Sequence, residues 1–419
     1  MLLKVIGTIL SKVFTTGIGF LIVIITSKEL GSSARGEIAL MLLNISIIGL
    51  IQGIFNGSSL TFLTPRYSFL KLTLVSNVFS ILLSLLLTTF FLEIHLIEED
   101  HFNFLLILSL FQGALTSSQS LLLGKEKIAS FNYLEIIKSI TLIGTLLMWF
   151  YVYGTISIEV TFYAYLASYS LPFLISLFWL IPLCSQTNSE RNSTSTLISD
   201  FFKFGFQIQL NNISQMINYR FCFFLIEKLK GKSELGIFSV AISISEAIWI
   251  VCKSIATFQY SRLVNTEDVH EKKRITLVSL HLSFLATFPL IVILLLLPTN
   301  FFTFLFGTDF NNLRPILFSL SIAVLELSYF TIINHYFTGI GLNKLNIFGS
   351  VIGNVTTVIS GILLVPILGS IGAGIATSIS YFIMLIYLVY QFKKQSKTKF
   401  RELVPSIGSL KIFFTEQTT

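Results

Sequence analysis

Apolar residues run along this chain in blocks of about twenty, long enough to cross a bilayer, with polar residues confined to the intervals between them. Stretches such as ILLSLLLTTFFL and IVILLLLP are unbroken and rich in Leu, Ile and Phe, and they lack the strict alternation of a strand. The pattern predicts twelve helical spans, at 5–26, 38–62, 70–93, 102–123, 130–152, 157–182, 203–226, 236–260, 274–297, 314–337, 343–366 and 368–391. Each end is placed to within about four residues. A helix satisfies its own backbone hydrogen bonds in hydrocarbon, so the expected fold class is an all-α integral membrane protein of about 12 transmembrane helices.

The long polar stretch within the chain is CSQTNSERNSTSTLISD, Cys184 to Asp200, after the sixth span. It divides the chain into an N-terminal lobe (1–183), a cytoplasmic linker (184–202), a C-terminal lobe (203–391) and a basic tail (392–419). Six is an even number, so both lobes enter the membrane in the same direction, the arrangement of a parallel repeat. A short echo supports the repeat. KELGSSARGEI from Lys28 and KLKGKSELGIF from Lys228 share Lys, Gly, Ser and Gly in register, so Gly31 and Gly36 face Gly231 and Gly236. The expectation is that each lobe opens with a helix, a glycine-containing outer turn and a second helix, the glycines letting the chain reverse closely.

Composition agrees with the pattern. The chain is 53% hydrophobic and 12% charged, where soluble domains carry about 25% charged residues, and its mean hydropathy is +0.82. A soluble globule is excluded. The net charge of +7 resides in short loops and the C-terminal tail, which points to membrane orientation and not to nucleic acid. With the N-terminus inside, eighteen of the 28 Lys and Arg fall on the cytoplasmic face, six outside and four within spans, so both termini are expected inside. EKLKGKSE is a local exception, with three Lys on the outer face. The first apolar run continues to Thr26 without a small-residue cleavage site, so it is an uncleaved span. Three cysteines, Cys184, Cys222 and Cys252, make no disulfide framework or metal motif. The tail is placed near anionic lipid.

Four segments resemble a known family. SKELGSSARGEIAL, LTPRYS, INYRFCFFLIEKLKGKSELGIFSVAISISEAIW and VPILGSIGAGIATSISYFIMLIYLVY are similar, in order and over nearly the whole chain, to the polysaccharide-biosynthesis flippases of the multidrug/oligosaccharidyl-lipid/polysaccharide exporter superfamily. The O-antigen-unit (Wzx type) flippases are the nearest likeness. Pro366, Gly369, Gly372, Ala373, Gly374, Ala376 and Ser378 match the family's proline–glycine break before a small-residue helix start. The resemblance implies a V-shaped bundle of two six-helix lobes in the bacterial cytoplasmic (inner) membrane. By alternating access it would move a polyprenyl-pyrophosphate-linked oligosaccharide to the outer leaflet, with a polysaccharide polymerase and chain-length proteins as candidate partners and no cofactor. Two positions depart from the family. Cys222 stands where an Asp is common, and the first span carries Lys12 and no acid. The alternative on the same architecture is a cation-coupled multidrug or small-solute exporter.

An anionic, sugar-bearing head group needs cations and hydrogen-bonding side chains at membrane depth. A charge at a helix centre costs about 2.5–3.5 kcal/mol on insertion scales, so intramembrane charges are functional candidates. Arg220 and Lys253 are the leading cations, with Lys12 and Lys138 behind them and Arg66 and Arg262 at the inner ends of spans two and eight. The competing readings are snorkelling for Lys12 and Arg220, pairing with Glu135 for Lys138, pairing with Glu246 for Lys253, and positive-inside anchoring for Arg66 and Arg262. Gln207, Asn211, Gln215 and Asn218 share one face of span seven, a stripe better explained by a polar cavity than by helix glue. Arg220 lies off that stripe. Glu326 in span ten is either a proton carrier or the partner of a cation, with pairing favoured, and Glu246 is a further coupling or pairing candidate. No Walker A motif and no metal-ligand spacing among the five His are present, so the expected function is transport and not catalysis.

Overall fold

The computed structural model describes residues 2–184, 194–264 and 266–403, and these are helical nearly throughout. Nine helical stretches are long and apolar enough to cross a membrane among the described residues, and two of them, of 54 residues each, are long enough for two crossings. The all-α, multi-span class expected from the hydrophobic pattern is therefore observed. Large apolar side chains lie on the outside, among them Tyr151, Phe178, Leu296 and Ile367, each at least 75% exposed. A soluble protein does not display such a surface, and a bilayer covers it. The chain divides into two compact units. One comprises residues 1–30 and 37–213, and the other residues 31–36 and 214–419.

The first unit is built from α1 (Leu2–Gln52), α2 (Gly57–Leu63), α3 (Phe69–Glu93), α4 (Glu99–Gly124), α5 (Ile128–Tyr153), α6 (Ile158–Cys184) and α7 (Thr194–Asp200). Residues 185–193, the centre of the expected linker, lie outside the described residues. From Asp200 the chain continues through one π-helical turn, Phe201–Gly205, into α8 (Phe206–Lys230). Apolar side chains have no driving force to leave lipid for one another, so small and polar residues knit these helices. Gln52, fully buried, donates its amide to the Ser80 carbonyl at 3.1 Å, the Ser84 hydroxyl at 2.8 Å and the Ser109 carbonyl at 3.3 Å, tying α1 to α3 and α4. Ser76 and Ser117 meet at 2.8 Å across α3 and α4.

The second unit contains α9 (Lys232–Val264), α10 (Val269–Leu296), α11 (Thr299–Phe306), a 3₁₀ turn (Thr308–Asn312), α12 (Leu313–Gly339), α13 (Asn343–Ser396) and α14 (Phe400–Leu403). Its core gathers Cys252, Leu280, Tyr336, Phe337, Met384 and Phe392 from α9, α10, α12 and α13. The two longest helices are each broken at one glycine. Gly31 in α1 has φ 77°, and Gly369 in α13 has φ 58°, a region closed to most side chains. Each break leaves backbone N–H groups without helical partners, and a carboxylate from elsewhere in the unit answers both. Asp309 accepts from the Ser32 N–H at 3.1 Å and the Ser32 hydroxyl at 3.3 Å, while Glu234 accepts from the Ser370 N–H at 2.8 Å. A negative charge at a helix start is also favoured by the helix dipole. Replacing Asp309 by Ala removes both acceptor contacts and is expected to destabilise this corner by about 1–2 kcal/mol. A lowered thermal midpoint of the purified protein, with Asp309→Asn retaining part of the loss, is the measurement.

The echoed glycine turns acquire a role that their spacing did not disclose. Gly31 and Gly231 have positive φ, as a turn between helices requires. Gly36 and Gly236, expected from the sequence to help the chain reverse, do not do so. They are helical and lie back to back: a Cβ on Gly36 would overlap the Lys232 carbonyl, and one on Gly236 would overlap the Ser32 carbonyl. Ser32 and Ser233 close the same contact with hydroxyls 2.7 Å apart. The two echoes are thus packing partners.

At the other end of this unit, α14 is held against α10. Lys273 pairs with Glu402 at 2.8 Å, and the His281 ring meets the Glu402 carbonyl at 3.1 Å. The hydrogen bond from Lys273, helped by that from the Lys399 N–H, holds the Glu402 carboxyl below the usual range. A lowered folded-state value contributes stability that is complete above the ordinary carboxylate value and is lost as pH falls through the lowered one. Docking of α14 is expected to persist at neutral pH and to be released only in acid, as pH falls below the ordinary carboxylate range. Hydrogen exchange of residues 397–403 across that range reports it, and Glu402→Gln is expected to raise exchange already at pH 7. Residues 404–419, most of the expected tail, lie outside the described residues.

Candidate functional site

The face of α9 that carries Glu246, Trp249 and Lys253 forms the richest charged and aromatic ladder of the second unit. Spacings of three and four residues stack the three side chains along one side of the helix, spanning about 10 Å. Arg220 of α8 reaches this ladder, and its guanidinium donates to Glu246 Oε1 at 3.0 Å. The pair is 32% and 49% exposed, so both groups remain reachable. The Lys253 ammonium lies 3.6 Å from the centroid of the Trp249 ring, close enough for a cation–π contact. Trp249 is oriented from its other end, its indole N–H donating to the Thr331 hydroxyl at 3.0 Å.

A cleft opens beside this ladder. It is lined on α9 by Ile242, Ser245, Glu246 and Trp249, on α12 by Leu320, Ala323, Val324 and Leu327, and on α13 by Thr377 and Tyr381. Its enclosed volume is about 50 Å³, and its empty space is about 480 Å³ when the open mouth is counted. One wall is aliphatic, and the other carries a carboxylate, three hydroxyls and an indole. The ladder beside the cleft carries two cations, Arg220 and Lys253, and one acid, Glu246, of which Glu246 alone lines the cleft. The arrangement can hold a polar ligand that is neutral or anionic and offers an apolar surface as well.

The other sequence candidates are distributed as follows. The Lys253 ammonium lies 3.6 Å from the centroid of the Trp249 ring, and Glu246 accepts from Arg220 at 3.0 Å. Lys138 and Glu135 interact electrostatically along α5, and each has a further neighbour. The Lys138 ammonium lies 4.7 Å over the Tyr169 ring, and Glu135 accepts from Gln119 at 2.6 Å. Lys12 is exposed on α1. Arg66 and Arg262 are exposed at helix ends, over the rings of Phe62 at 3.7 Å and Phe258 at 5.4 Å. Lys12, Lys138 and Arg66 belong to the first unit, whereas Arg220, Lys253, Glu246 and Glu326 belong to the second.

The amide stripe does not line a cavity at Asn218. That residue is 4% exposed, donates to the Ser350 carbonyl at 3.3 Å and accepts from Thr357 at 3.1 Å, so it ties α8 to α13. Gln215 is half-buried, and the side chains of Gln207 and Asn211 lie outside the described residues. Glu326, for which pairing was favoured, is 8% exposed, and its Oε2 has no hydrogen-bond partner among the described residues. No ion pair to it is found among the described residues. Trp249, Ser245, Thr377 and Tyr381 are the cleft residues that sequence reasoning passed over. The glutamate–tryptophan–lysine spacing in SEAIWIVCK was the available signal.

Comparison with known proteins places this fold. Over 99% of the chain and 92% of its own length, a lipid II flippase, MurJ, in an inward closed conformation superposes with a TM-score of 0.74 at 17% identity. A multidrug resistance MATE family transporter of the MOP superfamily, inward-facing, superposes over 93% of the chain and 96% of its own with a TM-score of 0.72 at 14% identity. A MOP superfamily transporter from Pyrococcus furiosus, described as having a binding pocket of reversed polarity, gives 0.65 at 14% identity over 94% and 96%. No family model and no curated protein sequence matches the chain. The chain therefore has the fold of MOP superfamily transporters.

Proposed function

We propose that this protein is a flippase that carries a polyprenyl-pyrophosphate-linked oligosaccharide, an O-antigen or similar surface-polysaccharide unit, from the cytoplasmic to the outer leaflet by alternating access. It works as a non-enzymatic transporter in the bacterial cytoplasmic membrane with both termini inside, and a polysaccharide polymerase and chain-length proteins are its partners. The observation that carries this reading is the Arg220–Glu246–Lys253 ladder beside an aromatic, hydroxyl-lined cleft. Arg220 and Lys253 receive the pyrophosphate, a group that cations at membrane depth are suited to hold. The likeness to a lipid II flippase supports a lipid-linked cargo. The apolar outer surface lets the polyprenyl chain remain in the bilayer.

A cation-coupled multidrug or small-solute exporter is the second reading. The half-exposed carboxylate of Glu246 on the cleft wall, together with the likeness to MATE transporters, favours it. Reconstitution into proteoliposomes separates the two. A fluorescent polyprenyl pyrophosphate bearing a sugar is expected to change leaflet in a protein-dependent manner, while a cationic dye such as ethidium is not accumulated. The opposite result selects the exporter.

Glu326 is our candidate for coupling. Burying a carboxylate is costly in its charged form, and no ion pair to Glu326 is found among the described residues. Glu326→Gln keeps the shape and removes the titration. Flipping driven by a pH gradient is expected to fall at least tenfold in this variant, with flipping down a substrate gradient retained. Equal loss in both assays assigns Glu326 to structure.

A further inference from the structure

We propose that the segment joining α13 to α14 is a docked bilayer foot, a surface that takes the head groups of anionic phospholipid at the leaflet where α13 ends. That leaflet is the cytoplasmic one in the orientation proposed above. Composition places the whole tail near anionic lipid, whereas the fold selects one docked segment of it. The surface lies apart from the cleft and is independent of the cargo. Its residues are sorted between two faces. Lys397 ends α13 in a left-handed conformation, with φ 53° and ψ 33°. On either side of it Ser396 and Thr398 are buried, and Leu403 joins the core of the second unit. Lys394, Lys397, Lys399, Phe400 and Arg401 are exposed.

Charge and depth together identify the occupant. Residues 393–403 hold five cations and one acid. That acid, Glu402, is engaged by Lys273 at 2.8 Å and by the Lys399 N–H at 2.8 Å. The single acid of α10, Glu271, is held by Arg274 at 2.8 and 3.0 Å. The exposed face therefore keeps a positive excess, the complement of an anionic head-group layer. Phe400 is the second observation. It is 66% exposed, and the Lys393 ammonium lies 5.6 Å from the centroid of its ring. An aromatic ring left outside among cations at the end of a span has the composition of an interfacial anchor, with the ring at the acyl boundary and the ammonium groups on phosphate. The apolar run of α13 ends at Tyr390, ten residues before Phe400. From there α14 turns back along α10, and the Glu402 carbonyl meets His281, eight residues further into the helix than Lys273. The segment is thus held against the side of the bundle at head-group depth, and its ordering cost is met before lipid arrives.

The test compares the full chain in nanodiscs of phosphatidylcholine alone and of phosphatidylcholine with phosphatidylglycerol, followed by hydrogen exchange at neutral pH. Exchange of residues 397–403 is expected to be about tenfold slower with phosphatidylglycerol, with the other helices unchanged. Salt at about 0.5 M is expected to remove the difference by screening. Lys397→Asn/Lys399→Gln/Arg401→Gln is expected to exchange in both discs as the parent does in phosphatidylcholine. Asn is used at 397 because it tolerates the left-handed backbone there. Phe400→Ser is expected to retain part of the difference. Should the triple variant undock α14 in both discs, the salt arm on the parent protein decides. Equal exchange of the parent in the two discs overturns the inference and leaves this face to an acidic protein. A difference that survives the triple substitution, or a slowing spread evenly over all helices, overturns it as well. So does an equal slowing in phosphatidylcholine discs on addition of inorganic phosphate, which would assign the surface to a soluble anion. The flippase reading stands under each of these results.

Discussion

Gly236→Leu is expected to abolish folding of the second unit. The Cβ it introduces would overlap the Ser32 carbonyl, with the Ser32 carbonyl carbon at 2.8 Å and the Gly36 nitrogen at 2.9 Å, so the obstruction is backbone on every side. A flexible side chain can step away from a new methyl group, but a helix cannot without carrying its neighbours along. The reciprocal change meets the same wall, because a Cβ at Gly36 would overlap Lys232. For Ala at either position we expect a loss of at least the 1–3 kcal/mol typical of overpacking, and for Leu no accumulation of folded protein. Small residues at helix contacts let backbones approach in lipid, and this contact depends on that approach. Gly144 supplies the contrast. A Cβ there meets nothing within 4 Å, so Gly144→Ala on the same scale is expected to be neutral or to stabilise α5 by up to about 1 kcal/mol. Size-exclusion profiles and thermal midpoints of the four variants in one detergent provide the comparison. A monodisperse, thermally unchanged Gly236→Ala protein contradicts the packing argument.

Removing the cations of the cleft is expected to stop transport without unfolding the protein. Arg220→Ala or Lys253→Ala should eliminate surface polysaccharide in a cell that depends on this chain, a loss of at least tenfold, while membrane levels remain normal. The separation of the two effects follows from exposure. Arg220 and Glu246 are about a third and half exposed, and ion pairs as accessible as this contribute about 0–1 kcal/mol to stability. Arg220→Ala also turns the ladder from positive to neutral and leaves Glu246 facing the anionic cargo alone. For that reason Arg220→Ala/Glu246→Ala is informative: if Arg220 served only to neutralise Glu246, the double variant would transport normally. We expect it to remain inactive. Normal export by both single variants removes the basis for a cationic head-group site.

The chemistry of the site was partly visible before the fold. Arg220, Glu246 and Lys253 stand out in a linear sequence because charge is rare inside apolar runs, and rarity survives any arrangement of the helices. Their pairing does not. Glu246 and Lys253 lie seven residues apart on one helix face, so a one-dimensional reading joins them, and it misses that the carboxylate meets Arg220 from α8 and the ammonium meets the Trp249 ring. Asn218 shows the same limit. Its helical face could be counted from the sequence, but whether that face meets a void or a helix depends on α13, more than a hundred residues away. Trp249 went unnoticed because an aromatic residue in an apolar run has no contrast with its neighbours.

The hydrophobic pattern determined the all-α, multi-span class and the intervals in which the long helices break. Lipid imposes those by length and backbone satisfaction alone, and each can be checked within a window of about twenty residues. Gly31 and Gly369 were legible for the same local reason, since a helix interrupted by glycine between two spans has few alternatives. The fit of Gly36 against Gly236, the carboxylates of Asp309 and Glu234 on distant helix starts, and the pairing of Glu246 with Arg220 of α8 were decided only in the tertiary structure. Each joins residues whose separation in sequence carries no information about their separation in space. In a bilayer, where apolar faces are nearly interchangeable, it is these few polar and close-packed contacts that select one arrangement of helices from many.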